Sequence, residues 1–263
     1  MDLQLKGKRA LVAGASKGLG YATARGLAME GAWVAINSRD ADALSASANT
    51  LAAETGSEVI ALPGDVTDRE VPGQLIQSIT EAFDGLDILV TNSGGPPAGK
   101  FEEFDDAAWQ NAVELNLLSH VRLIRAALPQ LRQSPDASVL TITSMTVKQP
   151  APNLVLSNSV RAATVGLTKT LALELGKYGI RFNSILPMWI ETERVYDLMS
   201  HRAGLNRTSV EEEIKKQAQE SPFGRMGKPE EFANAAVFLV SPAASYLTGM
   251  MLGVDGGMYK GTL

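Results

Sequence analysis

Gly14, Gly18 and Gly20 fall in the run Gly14-Ala15-Ser16-Lys17-Gly18-Leu19-Gly20, directly behind a short apolar stretch and directly ahead of a helical pattern. A turn built this way binds anions. The glycines let backbone approach a diphosphate closely, and the opening turn of the helix offers unpaired N–H groups and a favourable dipole. Ser16, Lys17 and Leu19 lie in the same turn and are candidate contacts of the same ligand. A tight turn with no ligand is the plainer alternative. The second chemically informative stretch is Asn37-Ser38-Arg39, where a second strand would end. An acidic residue there would accept the two hydroxyls of an adenosine ribose; an arginine forks onto a 2′-phosphate instead. Arg39, with Ser38 beside it and Lys17 as a second positive charge, therefore selects NADP over NAD. Asp40 follows the arginine and reads as its ion-pair partner.

These residues need a scaffold that brings strand ends together. Short apolar runs alternate with longer helical patterns along the whole chain. Strands are predicted at 9–13, 33–37, 58–62, 88–91, 138–143, 180–186 and 253–255. Helices are predicted at 21–30, 41–55, 71–83, 105–131 and 155–176. Strands separated by helices of this length need crossover connections, which makes the sheet parallel. Uninterrupted apolar strands fit a sheet covered on both faces. The fold class is α/β: a single Rossmann-type, doubly wound parallel sheet of about seven strands with helices on both faces, spanning 1–263 as one domain. The polar segment 193–222 departs from the alternation and is expected to cover the substrate as a lid. Ser209-Val210-Glu211-Glu212 fits a capping box that opens a short helix within it.

Composition narrows the function classes. The 263 residues carry a net charge of −5, which opposes nucleic acid as a partner. There is no cysteine and there are only two histidines, His120 and His201, far apart in the chain, so no metal site is expected. No apolar run reaches the length of a membrane span, and the first residues lack a signal core. A cytoplasmic protein acting on a small molecule is the expectation.

The chain resembles the short-chain dehydrogenase/reductase family over nearly its whole length. Ala13-Gly14-x-x-x-Gly18-x-Gly20 stands where that family has its glycine motif, and Asp65-Val66 resembles the pair used at the adenine ring. Thr91-Asn92-Ser93-Gly94 stands for Asn-Asn-Ala-Gly, keeping Asn92 and Gly94. Asn116 matches the active-site asparagine and Thr143-Ser144 the serine-ended strand. Pro187-Met188-Trp189-Ile190-Glu191-Thr192 resembles Pro-Gly-x-Ile-x-Thr, with Met188 in place of glycine. The stretches 224–231 and 248–257 resemble the family's C-terminal part. The resemblance implies that Pro187, Ile190 and Thr192 lie at the nicotinamide, and that the chain forms a homo-oligomer, a tetramer in which the helices at 105–131 and 155–176 pair across one interface.

The same resemblance exposes a gap. Where the family keeps Tyr-x-x-x-Lys, this chain has Ser157-Asn158-Ser159-Val160-Arg161. Carbonyl reduction needs a proton donor at the oxygen that gains charge. A serine hydroxyl is shorter and far less acidic than a phenol, and arginine is a poor proton relay. The catalytic candidates are accordingly Asn116, Ser144, Ser157 and Arg161, with Arg161 also able to hold the nicotinamide ribose. Three readings follow. The first is an atypical NADP(H)-dependent oxidoreductase acting on a small carbonyl or alcohol, similar to a 3-oxoacyl reductase. Its donor would be Lys148, Tyr196, His201, or a water held by Ser144, Ser157 and Arg161. The second is a nucleotide-binding sensor or partner subunit without turnover. The third is a non-redox lyase or isomerase on the same scaffold.

Overall fold

The computed structural model describes residues 1–262. Its seven strands are β1 (Arg9–Ala13), β2 (Trp33–Ser38), β3 (Val59–Pro63), β4 (Ile88–Thr91), β5 (Ser138–Ile142), β6 (Arg181–Pro187) and β7 (Met251–Val254). They form one parallel sheet in the order β3-β2-β1-β4-β5-β6-β7. The order reverses between β1 and β4, which opens a crevice beyond the carboxyl ends of those two strands.

Alternation along each strand explains why the strands read as solid apolar runs. Ala10 and Val12 of β1, Val34 and Ile36 of β2 and Val90 of β4 face one side. There they meet the helices α1 (Gly18–Met29), α2 (Ala41–Thr55) and α9 (Pro229–Val240). Leu11, Ala35, Leu89 and Val139 face the other side. They pack on α3 (Val71–Phe83), α5 (Ser119–Leu131) and the end of α6 (Val155–Leu175). Successive side chains point to opposite faces, so both must be apolar when both are covered.

Two segments differ from the expected elements. The long helix at 105–131 is split: α4 (Asp106–Val113) runs into a π-helical turn over Glu114–Leu118, and α5 continues from it. The Ser119 amide reaches back five residues to the Glu114 carbonyl, so the turn holds one residue more than an α turn, and such turns recur at functional sites. The polar segment 193–222 holds two helices rather than one short helix, α7 (Glu193–Asn206) and α8 (Val210–Gln219). The Ser209 capping box is present: its hydroxyl accepts from the Glu212 amide, and the Glu212 carboxylate accepts from the Ser209 amide. Beneath α7 and α8 lies a methionine-rich cluster of Trp189, Val195, Met199, Met226 and Met258. Among the described residues no helix is long and apolar enough to cross a membrane, and no cluster of His, Asp or Glu could hold a metal ion.

Candidate active site

The glycine turn sits at the sheet's switch point and is locked across it. Gly14 adopts φ +59°, and its carbonyl accepts a hydrogen bond from Asn92 Nδ2 at 3.0 Å. That contact ties the end of β1 to the end of β4. A side chain at Gly14 would meet the same Asn92 amide at 2.8 Å, and one at Gly20 would run into the Gly14 carbonyl. Gly18 adopts φ +63°, and the space above it is open to the Thr192 methyl at 3.9 Å. Lys17, the residue before α1, provides no side-chain cap, and the first turn carries no acidic residue. The free N–H groups of α1 therefore face an uncrowded groove, and these residues fit a dinucleotide diphosphate. Ser16 holds the turn against α2, its carbonyl accepting from Ser47 Oγ at 2.9 Å, and Leu19 packs against the apolar core.

At the adenosine end, Ser38 closes β2 and Arg39 extends into solvent. Asp40 is not the partner of Arg39; its carboxylate caps α2 by accepting from the Ala43 amide at 3.0 Å. A cap satisfies an otherwise orphaned donor and outcompetes an exposed ion pair. Arg39 lies instead 3.8 Å from Asp65, whose carboxylate is fixed by the Thr67 amide and hydroxyl at 2.9 and 2.7 Å. Val66 is buried behind it. Lys17, expected to add charge at a 2′-phosphate, reaches the other way and pairs with Glu193 at the start of α7.

At the opposite end of the groove stand the catalytic candidates. Ser144 follows β5 and its Oγ accepts from the Thr146 amide at 3.2 Å. Ser157 and Arg161 are one turn apart on α6, on the same helix face. The Ser157 hydroxyl makes no hydrogen bond among the described residues and is partly accessible. The Arg161 guanidinium is buried, and Nη1 donates to the Ile142 and Thr143 carbonyls at 3.3 and 3.2 Å, which brings it to the carboxyl end of β5 beside Ser144. Burial pushes it down to about 10, and the charge of Arg194 adds to the effect. Asn116 lies in the π turn. Its Nδ2 donates to Ser93 Oγ and to the Gly94 carbonyl, both at 2.8 Å, while its buried Oδ1 has no partner. Pro187 ends β6 in register with Val254, Ile190 is buried against Gly227, and Thr192 caps α7. Lys148 turns to the Tyr259 ring, 5.5 Å from its centroid, and Tyr196 and His201 are exposed on α7. Among the described residues none of these three side chains hydrogen-bonds to Ser144, whose Oγ accepts only from the Thr146 amide.

A family profile described as Enoyl-(Acyl carrier protein) reductase matches residues 14–259. The L-rhamnose 1-dehydrogenase (NAD(P)(+)) of Sphingomonas sp. is 34% identical over 258 residues, covering 97% of each chain. The chain belongs to the short-chain dehydrogenase/reductase family. Among solved structures, the L-sorbose reductase of Gluconobacter frateurii, complexed with NADPH and L-sorbose, superposes with a TM-score of 0.95 at 34% identity, over 99% of this chain and 100% of that one. A short-chain oxidoreductase from Pseudomonas aeruginosa, described as NADPH-bound and containing an atypical catalytic center, gives 0.87 at 31% identity, over 96% and 97%.

Two residues that sequence reasoning passed over belong to this family member's site. His120, on the first turn of α5, is buried between Thr91 Oγ1 at 2.9 Å from Nδ1 and Ser93 Oγ at 3.3 Å from Nε2. Burial, and then the charge of Arg161, lowers it to about 3, so the imidazole is neutral at ordinary pH. It links Ser93 and Asn116 to a buried threonine pair, Thr91 and Thr141, 3.1 Å apart. Only its spacing after Asn116 on one helix hints at this. Arg194, in the first turn of α7, reaches back across the groove and donates to the Pro96 carbonyl at 2.9 Å. A cation in the first turn of a helix opposes the helix dipole, which was the available signal.

Proposed function

We propose that this chain is an NADP(H)-dependent oxidoreductase of small carbonyl or alcohol compounds, similar to a 3-oxoacyl reductase, in which Arg161 and a water stand in for the usual tyrosine and lysine. The observation that carries the reading is the buried Arg161 guanidinium beside Ser144, at the carboxyl end of a sheet whose diphosphate cradle is intact. When bound, the nicotinamide supplies or accepts the hydride. The chain's own groups handle the oxygen. Arg161, together with the Ser144 hydroxyl, stabilises the charge that develops there, and electrostatic preorganisation of this kind is usually the largest catalytic contribution. Ser157, with a free hydroxyl one turn from Arg161, positions the water that delivers the proton. Asn116 holds the loop after β4 through Gly94 and Ser93, fixing the floor of the nicotinamide pocket.

In this reading Gly14, Ser16, Gly18, Leu19 and Gly20 receive the diphosphate. Ser38 and Arg39 receive the 2′-phosphate, Asp65 and Val66 flank the adenine, and Asn92, Gly94, Pro187, Ile190 and Thr192 enclose the nicotinamide half. The segment 193–222 serves as a lid on a single domain. Its first helix is tied to the glycine turn by Lys17–Glu193 and to the β4 loop by Arg194. A homotetramer pairing α4–α5 and α6, located in the cytoplasm, completes the proposal.

The test is NADPH oxidation with a panel of carbonyl compounds, run on the natural chain and on Ser157→Tyr/Arg161→Lys. Turnover by the natural chain supports the reading. Turnover by the double variant alone shows that the natural chain is not a reductase for that substrate. Tight NADPH binding with no turnover favours a sensor, and product formation at constant NADPH absorbance favours a lyase.

A further inference from the structure

The loop that leaves β4 runs through Thr91-Asn92-Ser93-Gly94, and two of these four residues, Thr91 and Ser93, depart from the pattern Asn-Asn-Ala-Gly. Both departures serve one imidazole. His120 enters from α5 and is only 2% exposed. Its Nδ1 lies 2.9 Å from Thr91 Oγ1 and its Nε2 lies 3.3 Å from Ser93 Oγ. Alanine at position 93 would leave Nε2 without that hydroxyl, and a buried polar atom stripped of its partner costs free energy. Burial, and then the charge of Arg161, lowers the imidazole to about 3. The neutral ring offers one donor and one acceptor, which two hydroxyls can match.

Ser93 carries this hold into the site. Its Oγ also accepts from Asn116 Nδ2 at 2.8 Å, and the same Nδ2 donates to the Gly94 carbonyl at 2.8 Å. Gly94 is exposed, with nothing within 4 Å of where a side chain would sit, so no packing around its Cα fixes it. The bond to its carbonyl does. Asn116 is anchored in turn to α6, its main-chain carbonyl accepting from Thr164 Oγ1 at 2.5 Å. On the far side of the ring, Thr91 meets Thr141 of β5 at 3.1 Å, and Thr168 of α6 lies 3.4 Å from Thr141. The ring thus bridges the buried end of β4 and the start of the loop above it.

We infer that His120 is a positioning residue for the nicotinamide half of the cofactor, acting through Ser93 and Asn116 on the loop Asn92–Gly94. The inference rests on the oxidoreductase reading above, in which Asn92 and Gly94 enclose that half, and adds the residue that fixes them. The adenosine half is received elsewhere, at the ends of β2 and β3, which lie beyond β1 from β4. Loss of the imidazole therefore affects one half of the nucleotide and spares the other.

The experiment is calorimetric titration of the full chain and its variants with NADPH and with adenosine 2′,5′-bisphosphate, which has the adenosine half and no nicotinamide. His120→Leu and Ser93→Ala should each weaken NADPH by about three- to tenfold, the size of one lost hydrogen bond, and leave the bisphosphate unchanged. The double variant should bind NADPH no more weakly than either single one, because the two residues act in series. The amide of His120→Gln reaches the Nε2 position and should restore NADPH affinity; that of His120→Asn reaches only the Nδ1 position and should not. A residue that merely stabilises the core would not separate the two ligands or the two amides. Equal weakening of both ligands, unchanged NADPH binding in the single variants, additive losses in the double variant, or equal behaviour of Gln and Asn overturns the inference. Should His120→Leu not fold, Ser93→Ala at its half-buried position and the Gln–Asn pair decide. If the natural chain gives no heat with either ligand, the nucleotide reading fails and takes this inference with it. If NADPH binds all variants alike, that reading stands and only the role of His120 falls.

Discussion

Substituting Arg39→Asp should exchange the chain's nucleotide preference, and the structure sets the size of the effect. Arg39 is exposed, and its distance of 3.8 Å from Asp65 is beyond hydrogen bonding, so removing that pair costs little. Asp65 keeps its geometry because Thr67 holds it independently. What is lost is the contact with the 2′-phosphate. Hydrogen bonds to a charged group contribute about 1.5–3 kcal/mol. Placing a carboxylate about 4 Å from a phosphate of nearly two charges adds about 2 kcal/mol of repulsion in water. Together these amount to about 3–5 kcal/mol, a loss of roughly a hundredfold to a few thousandfold in NADPH affinity. NADH has no 2′-phosphate, and its free hydroxyl donates to the new carboxylate, so its affinity should hold or rise. Fluorescence titration of both nucleotides into both proteins measures this, and repeating it at higher salt should shrink the NADPH effect. Equal binding of NADH and NADPH by the natural chain, or equal weakening of both in Arg39→Asp, would refute the assignment of the β2 end.

Gly20→Ala should weaken folding by about 1–3 kcal/mol and abolish nucleotide binding, because its methyl meets the Gly14 carbonyl, which is backbone and cannot swing aside; thermal unfolding with and without NADPH reads both effects, and an unchanged midpoint would contradict the packing. His120 is held near 3 in the fold against about 6.5 in the unfolded chain, so between these values the unfolded state carries the extra proton. Its contribution is complete above about pH 6.5 and should fall by about 1.4 kcal/mol for each pH unit below that. Urea unfolding at pH 7, 6 and 5 should show a shallower loss in His120→Asn than in the natural chain; identical slopes would show that the imidazole is not held neutral.

The fold was legible because its signals are local. Apolar runs such as Leu89-Val90 are buried on two faces and cannot be mistaken for half-exposed strands. The glycine turn was legible for a similar reason: Gly14 and Gly20 occupy positions where a side chain meets backbone or the Asn92 amide. Long-range competition was not legible. Asp40 could pair with Arg39 or cap α2, and only the observed geometry shows that the cap prevails. Lys17 was read beside a phosphate, yet it faces Glu193, a residue distant in sequence that α7 carries across the groove. The π turn that positions Asn116 is a single turn inside a longer helical stretch, and the setting of His120 depends on Thr91 and Ser93 arriving from a different part of the chain. The absence of Tyr-x-x-x-Lys was plain in the sequence; that Arg161 would be buried without an acid was not.

The most direct test is a structure with NADP+ bound. The account expects the diphosphate on the opening turn of α1, the 2′-phosphate at Arg39, and nicotinamide C4 facing a space bounded by Ser144, Ser157 and the Arg161 guanidinium. A nucleotide bound elsewhere, or a nicotinamide turned away from Arg161 with the guanidinium satisfied by protein alone, would contradict it.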